Sequence, residues 1–402
     1  MHAKPDDPTT ARPATPPSTR LDSIDLLRGL IMVVMAIDHV RDYFHYSAVQ
    51  GVDPLDLTRT TTPIFLTRLL THFCAPIFSF LAGISVYLAL KRGKSKGQLS
   101  GFLIKRGLWL IFLELTLLTW FGWGFNIDLH LYFLATLWAL GWSMIVLAGL
   151  IHLPFRLVAV FSAVLILGHN ALDGIKPESW GAWSWLWRVL HVSSPMETKS
   201  GITIFAFYPL IPWIAVMSAG YCSGRLYDLD APRRKTWLLR LGFGALGAFV
   251  LLRASNLYGN LLPWTSQPNP VFTVLSFLDV TKYPPSLCYL LLTLGVGLIL
   301  LSVFERWSPR WIQPLLAYGR VPFFYYILHI PLIHGLAYIT NVVRCGRGDF
   351  SPLAGTPPPG AGFSLLATYL VWAAIVASLY PACRWFVGFK QRRRDLAWLG
   401  YF

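Results

Sequence analysis

Charge is what this sequence has least of. Lys, Arg, Asp and Glu make up 13% of its 402 residues, where a soluble domain carries about a quarter, and that shortage excludes a water-soluble globular fold. Acidic residues are scarcer than basic ones, 19 against 34. Cysteine is rare too. Cys74, Cys222, Cys288, Cys345 and Cys383 are odd in number, scattered and mostly inside apolar segments, so there is no CxxC pair and no disulfide framework. The sequence has no P-loop, GxGxxG, G-x-S-x-G, metal-ligand spacing or internal repeat, so no metal is expected. The alternating ten-residue segments of a membrane β-barrel are absent as well. Residues 1–20, MHAKPDDPTTARPATPPSTR, lack the apolar core of a signal peptide and read as a disordered cytoplasmic tail.

What the chain does have is apolar length. Hydrophobic residues make up 55% of it, in runs approaching the ~20 residues that a spanning helix needs. The expected fold class is therefore all-α: a polytopic integral membrane protein of about ten transmembrane helices, at roughly 23–45, 63–90, 103–122, 131–150, 155–171, 201–222, 237–254, 285–304, 314–338 and 363–388. The formal net charge of +15 does not point to nucleic acid, because the basic residues sit in short clusters between apolar runs, where they mark topology. Lys91, Arg92, Lys94, Lys96, Lys105 and Arg106 follow the second span, Arg225, Arg233, Arg234 and Lys235 the sixth, and Lys390, Arg392, Arg393 and Arg394 the last. The positive-inside rule then places both termini in the cytoplasm. The domain plan is a tail at 1–20, a transmembrane domain at 21–390 and a basic cytoplasmic tail at 391–402.

The first span is unlike a mere anchor. Arg20 to His45 reads RLDSIDLLRGLIMVVMAIDHVRDYFH, and each charge deep in a bilayer costs about 2.5–3.5 kcal/mol on insertion scales. At 3.6 residues per turn, Asp25, Arg28, Met32, Met35 and His39 share a stripe, with Arg28 and His39 roughly 16 Å apart along the axis. The stripe is expected to form one wall of a polar cavity crossing much of the membrane. His39 with Asp38 or Asp42 is the best acid–base candidate, since a carboxylate can orient an imidazole and raise its basicity. Asp38 adjoins His39 in sequence and points about 100° away on a helix, so a direct bond between them is not assured.

Other spans add candidates. His72 precedes Pro76, which should kink the second span. His72 is expected either to face His39 across the cavity or to make an interhelical hydrogen bond, the two being evenly matched. In FLAGIS, Ala82, Gly83 and Ser85 allow close helix approach. Lys105, Arg106 and the 91–96 cluster suit a phosphorylated ligand, although anionic headgroups alone would explain them better. Arg320 and His329 in the ninth span repeat the order of cation, then imidazole. Glu114 and Asp128 are further carboxylates in or near the membrane. Between 172 and 200, Trp180, Trp183, Trp185 and Trp187 form an interfacial belt by default, with sugar stacking as the alternative. Residues 340–362, ending in TPPPGAG, read as a surface loop.

RLDSIDLLRGLIMVVMAIDH resembles the opening of the heparan-α-glucosaminide N-acetyltransferase catalytic domain family of transmembrane acyltransferases. The related acyltransferase-3 family shares the Arg-X10-His pattern, matched here by Arg28 and His39. THFCAPIFSFLAGIS, YPLIPWIAVMSAGYCSGRLY, TKYPPSLCYLLLTLG and YGRVPFFYYILHIPLIHG look like later blocks of a bacterial branch, so the resemblance runs from Arg20 to about His334. It implies an acyl-CoA-dependent enzyme of the bacterial inner (plasma) membrane, moving an acetyl or other acyl group from cytoplasmic acetyl-CoA or another acyl-CoA to a glycan or glycolipid hydroxyl or amine on the far side. By this analogy Arg28, Lys105 and Arg106, with Arg320, would meet the donor. His39, Asp38, His72 and His45 would be the catalytic candidates, His45 because the lysosomal enzyme has its essential histidine further along the chain. Asp42 and His329 would meet the acceptor. Heparan itself finds no support in this sequence as the acceptor. The alternative is a transporter or flippase for a polar or glycan-linked substrate, since intramembrane His, Arg and Asp also build substrate paths. A homo-oligomer is compatible with either.

Overall fold

The computed structural model describes residues 22–123, 127, 129–307, 309–348, 360–393 and 395–401. The tail at 1–20, Asp128, Arg394 and most of the TPPPGAG stretch therefore lie outside the described residues. Helices dominate: α1 (Asp22–Phe44), the single turn α2 (Tyr46–Val49), α3 (Thr62–His72), α4 (Cys74–Lys91), α5 (Lys96–Leu113) running on into a π-helix (Glu114–Gly122), α6 (Thr136–Leu150), α7 (Phe155–Gly168), α8 (Ser184–Leu190), α9 (Leu210–Ser223), α10 (Ala231–Ser255), α11 (Pro270–Leu278), α12 (Leu287–Phe304), α13 (Leu315–Arg320), α14 (Pro322–Cys345) and α15 (Leu365–Arg392). Among the described residues, six helices are long and apolar enough to cross a membrane: 62–91 taken as one, 155–172, 231–255, 287–304, 322–345 and 365–392.

The all-α expectation needs one correction. Three strands, β1 (Leu131–Leu134), β2 (Ser194–Glu197) and β3 (Thr203–Ala206), form a sheet of order β1-β3-β2. β1 pairs parallel with β3, and β2 antiparallel with it. LYFL and TIFA are short runs of the aromatic and branched residues that suit a pleated surface, and each passes within a few residues into an apolar helix. In sequence the two apolar stretches merge. As a result α6 and α9 have only 15 and 14 residues.

Local chemistry explains many of the helix ends. Asp22 and Asp25 stand in the first turn of α1 and Arg41 in its last, each sign complementing the helix dipole. Ser95 and Gln98 form a reciprocal capping box at α5, and Asp230, Ser286 and Ser364 cap α10, α12 and α15 through their side chains. The second apolar run breaks at Phe73, between α3 and α4 and just ahead of Pro76, where the sequence predicts a kink.

α1 is the centre of the packing. Its Met32, Ala36, Val40 and Phe44 belong to a core built with α5, α6, α14 and α15. Its Ile24, Leu26, Leu27 and Ile31 belong to a second core with α4, α9 and α12. Backbone contact through small residues sets the spacing around it. A Cβ on Gly29 would fall 2.0 Å from the Leu315 carbonyl oxygen, so α1 lies directly against α13. A Cβ on Gly83 would fall 2.0 Å from the Met217 carbonyl oxygen, which locks α4 against α9. The segment from 172 to 200 has structure of its own. It folds into a 3₁₀ stretch and α8, burying Trp187 with its ring stacked 4.8 Å from Trp180, while Trp183 and Trp185 stay exposed.

Candidate functional site

A cavity of about 620 Å³ runs along α1. α1 lines it from Ile31 to Tyr43, which is roughly 18 Å of helix. At one end lie Arg106 and Leu110 of α5, and at the other Val52, Asp53 and Pro54 of the loop after α2. Between Arg106 and His39 the walls are apolar, with Met32, Met35, Leu140 and Met144 prominent. Beyond His39 they turn aromatic and charged. Phe133 of β1 packs against Phe205 and Phe207 at 5.8 Å each, and Phe207 meets Tyr283 at 6.3 Å. The small sheet thus supplies an aromatic rim at that end.

His39 projects into this space, half-buried, with its Nδ1 unpartnered among the described residues. Its ring lies 5.1 Å from that of His329 and 5.5 Å from that of Trp123. His329 is fully buried on α14. Its Nδ1–H donates to the Tyr326 and Tyr325 carbonyls at 2.9 and 3.1 Å, which leaves Nε2 as the lone-pair nitrogen, without a hydrogen-bond partner among the described residues. The end of the π-helix closes over the same region. The Gly122 carbonyl accepts from Tyr43 Oη at 3.0 Å and from His334 Nδ1 at 3.1 Å, and the Tyr43 and His334 rings stack at 4.6 Å. π-Helical turns are rare and frequently mark functional regions.

Glu114, at the root of that π-helix, is fully buried. Its Oε2 accepts from the backbone N–H groups of Leu137 and Trp138 at 2.6 and 3.3 Å. The residue before α6 is Ala135, whose side chain can cap nothing. A carboxylate from another helix therefore takes the first-turn donors that a local cap would satisfy, and it fixes the cavity wall formed by Ala135, Thr136 and Leu137.

Asp38 does not orient His39. Its carboxylate is held by Arg68 at 2.5 Å, Arg41 at 3.0 Å and Lys282 at 3.8 Å, and Arg41 also reaches Asp42 at 2.6 Å. All five line the cavity. The physical reason is the helical offset between neighbouring residues: Asp38 faces α3 and the loop carrying Lys282, while His39 faces α14.

Several other candidates are displaced from the cavity. His72 closes α3, donating from Nδ1 to the Arg68 carbonyl at 2.7 Å, and its own carbonyl accepts from Tyr289. It is a packing residue rather than a partner facing His39. His45 is wholly buried off the cavity and caps α2, its Nδ1 accepting from the Ser47 amide. Arg28 is tied to Asp25 at 3.1 Å and Ser85 at 2.9 Å, between α1 and α4, so the stripe predicted on α1 meets the cavity only through Met32, Met35 and His39. Arg320 pairs with Asp22 at 3.2 Å and Asp25 at 3.9 Å. Lys105 is exposed on α5, one residue from Arg106, which does line the cavity.

Sequence reasoning missed Arg68, Lys282 and the positioning role of Glu114. Arg68 carried a usable signal, since a lone arginine within an apolar span is a functional candidate by default. Lys282 carried none, because it sits in a loop far from α1 in sequence. No group of His, Cys, Asp and Glu among the described residues is arranged to hold a metal ion.

The model of one protein family, described as "Heparan-alpha-glucosaminide N-acetyltransferase, catalytic", matches residues 20–252, more than half of the chain. α1, α3 and the wall from α5 and α6 fall within that match, whereas Lys282 and His329 lie beyond it. No curated protein matches the chain. With its central helix and most of its cavity inside the matched region, this chain belongs to the heparan-alpha-glucosaminide N-acetyltransferase catalytic family.

Proposed function

We propose that the chain is a ten-span acyltransferase of the plasma membrane with both termini in the cytoplasm, transferring an acetyl or related acyl group from cytoplasmic acyl-CoA to a hydroxyl or amine of a glycan on the far side. The observation that carries this is the continuous cavity joining Arg106 at one end to the Asp53 loop at the other, with His39 between them. The hydrocarbon layer to be crossed is about 30 Å thick, and the α1 wall alone spans more than half of it. Under the proposed topology Arg106 stands at the cytoplasmic end and the Asp53 loop on the far side.

The residues suit such a donor. Arg106 has an Nε without a partner among the described residues and would meet the phosphates. Lys105 stands outside the entrance, and Arg28 lies behind Arg106. The apolar corridor past Met32, Met35 and Met144 fits the flexible arm of the donor. His39 then takes the proton from the acceptor oxygen or nitrogen as that atom bonds to the thioester carbonyl carbon. As the carbon–sulfur bond breaks, the proton passes to the departing sulfur. His329, hydrogen-bonded through Nδ1, holds a second imidazole beside the first.

The test is acetyl transfer by the purified protein in detergent, with donor binding measured separately. Arg106→Ala should raise the KM for acetyl-CoA and leave kcat near wild type, while His39→Ala should lower kcat with donor binding intact. Donor-free transport of a glycan into vesicles, with no acetylation detected, would replace this reading with a flippase.

A further inference from the structure

A second groove, of about 440 Å³, follows the outer face of α15 and shares no residue with the cavity along α1. Of the six candidate spans α15 is the least enclosed, with 17% of its apolar window buried, so most of it is turned to lipid. Two exposed arginines line the groove, Arg384 and Arg392, and neither has a hydrogen bond or ion pair among the described residues. α15 itself contains no acidic residue. Gly388 stands midway between them. A Cβ there would fall 3.3 Å from Nη1 of Arg392, so that guanidinium folds back over the glycine toward Arg384. Trp385 is exposed beside the notch, its ring held in place by stacking 5.6 Å from Phe389.

Depth adds to the argument. The 28 residues of α15 span about 42 Å, against a hydrocarbon layer of about 30 Å. Arg384 lies eight residues, about 12 Å, before the end of the helix, where hydrocarbon gives way to headgroups. A lipid-facing cation at that level needs an anion or a path to the headgroups. We propose that Arg384 and Arg392, across the Gly388 notch, hold the phosphate of an anionic phospholipid, with Trp385 against its glycerol and acyl chains. A guanidinium matches two phosphate oxygens at once, and tryptophan suits the apolar–polar boundary. A zwitterionic headgroup brings a cation of its own, which two unpaired arginines disfavour. The opposite face of α15 packs inward: Phe386 stacks 4.1 Å from Phe324 of α14, and Trp372 donates to the Val33 carbonyl of α1 at 2.9 Å. The bound lipid therefore braces α15 against the helix that lines the cavity. Only the assignment to the cytoplasmic leaflet rests on the topology proposed above; the site itself does not depend on acyl transfer.

The test uses delipidated full-length protein in neutral detergent, titrated with dioleoyl-phosphatidylglycerol or dioleoyl-phosphatidylcholine, with bound lipid counted by native mass spectrometry. Phosphatidylglycerol should be retained at least fivefold better than phosphatidylcholine. Arg384→Gln and Arg392→Gln should each remove most of that preference. Gly388→Leu should do so too, by filling the notch with the charge unchanged. Arg310→Gln, at another exposed arginine beyond the spans, should leave the preference intact. Equal retention of the two lipids overturns the proposal, and so does an equal loss in Arg310→Gln, which would mean surface charge rather than a site. Inorganic phosphate that displaces the lipid at equal concentration would make this a phosphate site and overturn the lipid assignment. A dimer that dissociates in Trp385→Ala, with no lipid retained, would overturn it by making the groove an interface between copies.

Discussion

His39 and His329 stand ring against ring, with centroids 5.1 Å apart, on two helices that are separated by most of the chain. Nδ1 of His39, and Nε2 of His329, whose Nδ1 is committed to the backbone, have no hydrogen-bond partner among the described residues. His39 lines the cavity while His329 stands buried behind it, so the unspent imidazole of His39 marks the place where a proton can be taken up.

Removal of the first imidazole should therefore be severe. His39→Ala is expected to lower kcat for acetyl transfer by about 10²–10⁴-fold, the usual contribution of a general base, with the melting temperature near wild type because His39 lines open space. His329→Ala should cost less in rate. It leaves the Tyr325 and Tyr326 carbonyls with their helical partners and removes only the neighbour of the base. Single-turnover rates on the purified variants check both, and an unchanged rate in His39→Ala would remove this residue from the mechanism.

Glu114 should matter to stability before it matters to rate. Glu114→Ala strips the acceptor from two N–H groups in the first turn of α6 and leaves them buried, at a cost of about 1–3 kcal/mol. Glu114→Gln keeps a carbonyl oxygen for the same donors and should lose much less. Thermal melting of the two variants in one detergent tests this. Equal melting temperatures for Ala and Gln would mean that the carboxylate is not the cap of α6.

How much of this was legible in the sequence depends on range. The charged face of α1 and the break before Pro76 are local, since each follows from a periodicity or a proline within a single apolar run, and both can be read off the chain. The partners of those residues are not local. Asp38 sits next to His39 in sequence, yet it turns to Arg68 and Lys282, and only the packing of α3 and a distant loop decides that. Arg28 looks like the mouth of a channel because it is a cation in an apolar run. Ser85, which takes one of its N–H groups, becomes its neighbour only through the packing of α4 beside α1. The β1–β3 pairing is likewise invisible, being a parallel contact between two four-residue strands that merge into helical apolar runs.

The approach of α1 to α13 offers a test of the scaffold itself. In Gly29→Ala and Gly319→Ala the new Cβ would lie 2.0 and 1.8 Å from the backbone oxygens of Leu315 and Asp25 respectively. Backbone cannot yield as a side-chain tip does, so the helices must part, and overpacking of this kind typically costs about 1–3 kcal/mol or more. Gly97→Ala on α5 is the control, because its Cβ would meet nothing within 4 Å, and replacing a helical glycine gains up to about 1 kcal/mol. Melting curves should rank Gly97→Ala at or above wild type and both α1–α13 variants well below it.

Asp279 gives the protein a pH dependence of its own, outside the spans, in the loop after α11. Burial pushes its carboxyl up to about 6, with Arg253 opposing the shift and Asp53 adding to it. Its unfolded value is near 3.9, so between about pH 4 and pH 6 the folded chain holds more protons than the unfolded one. Stability must then fall as pH rises through that window and level off above it. Asp279→Asn removes the titration without changing the shape of the side chain. The variant should gain in melting temperature relative to wild type on going from pH 4.5 to pH 7, with most of the gain complete by about pH 6.5. A wild-type and variant pair whose melting temperatures stay parallel across that range would show that Asp279 is no longer buried once the protein is in solution.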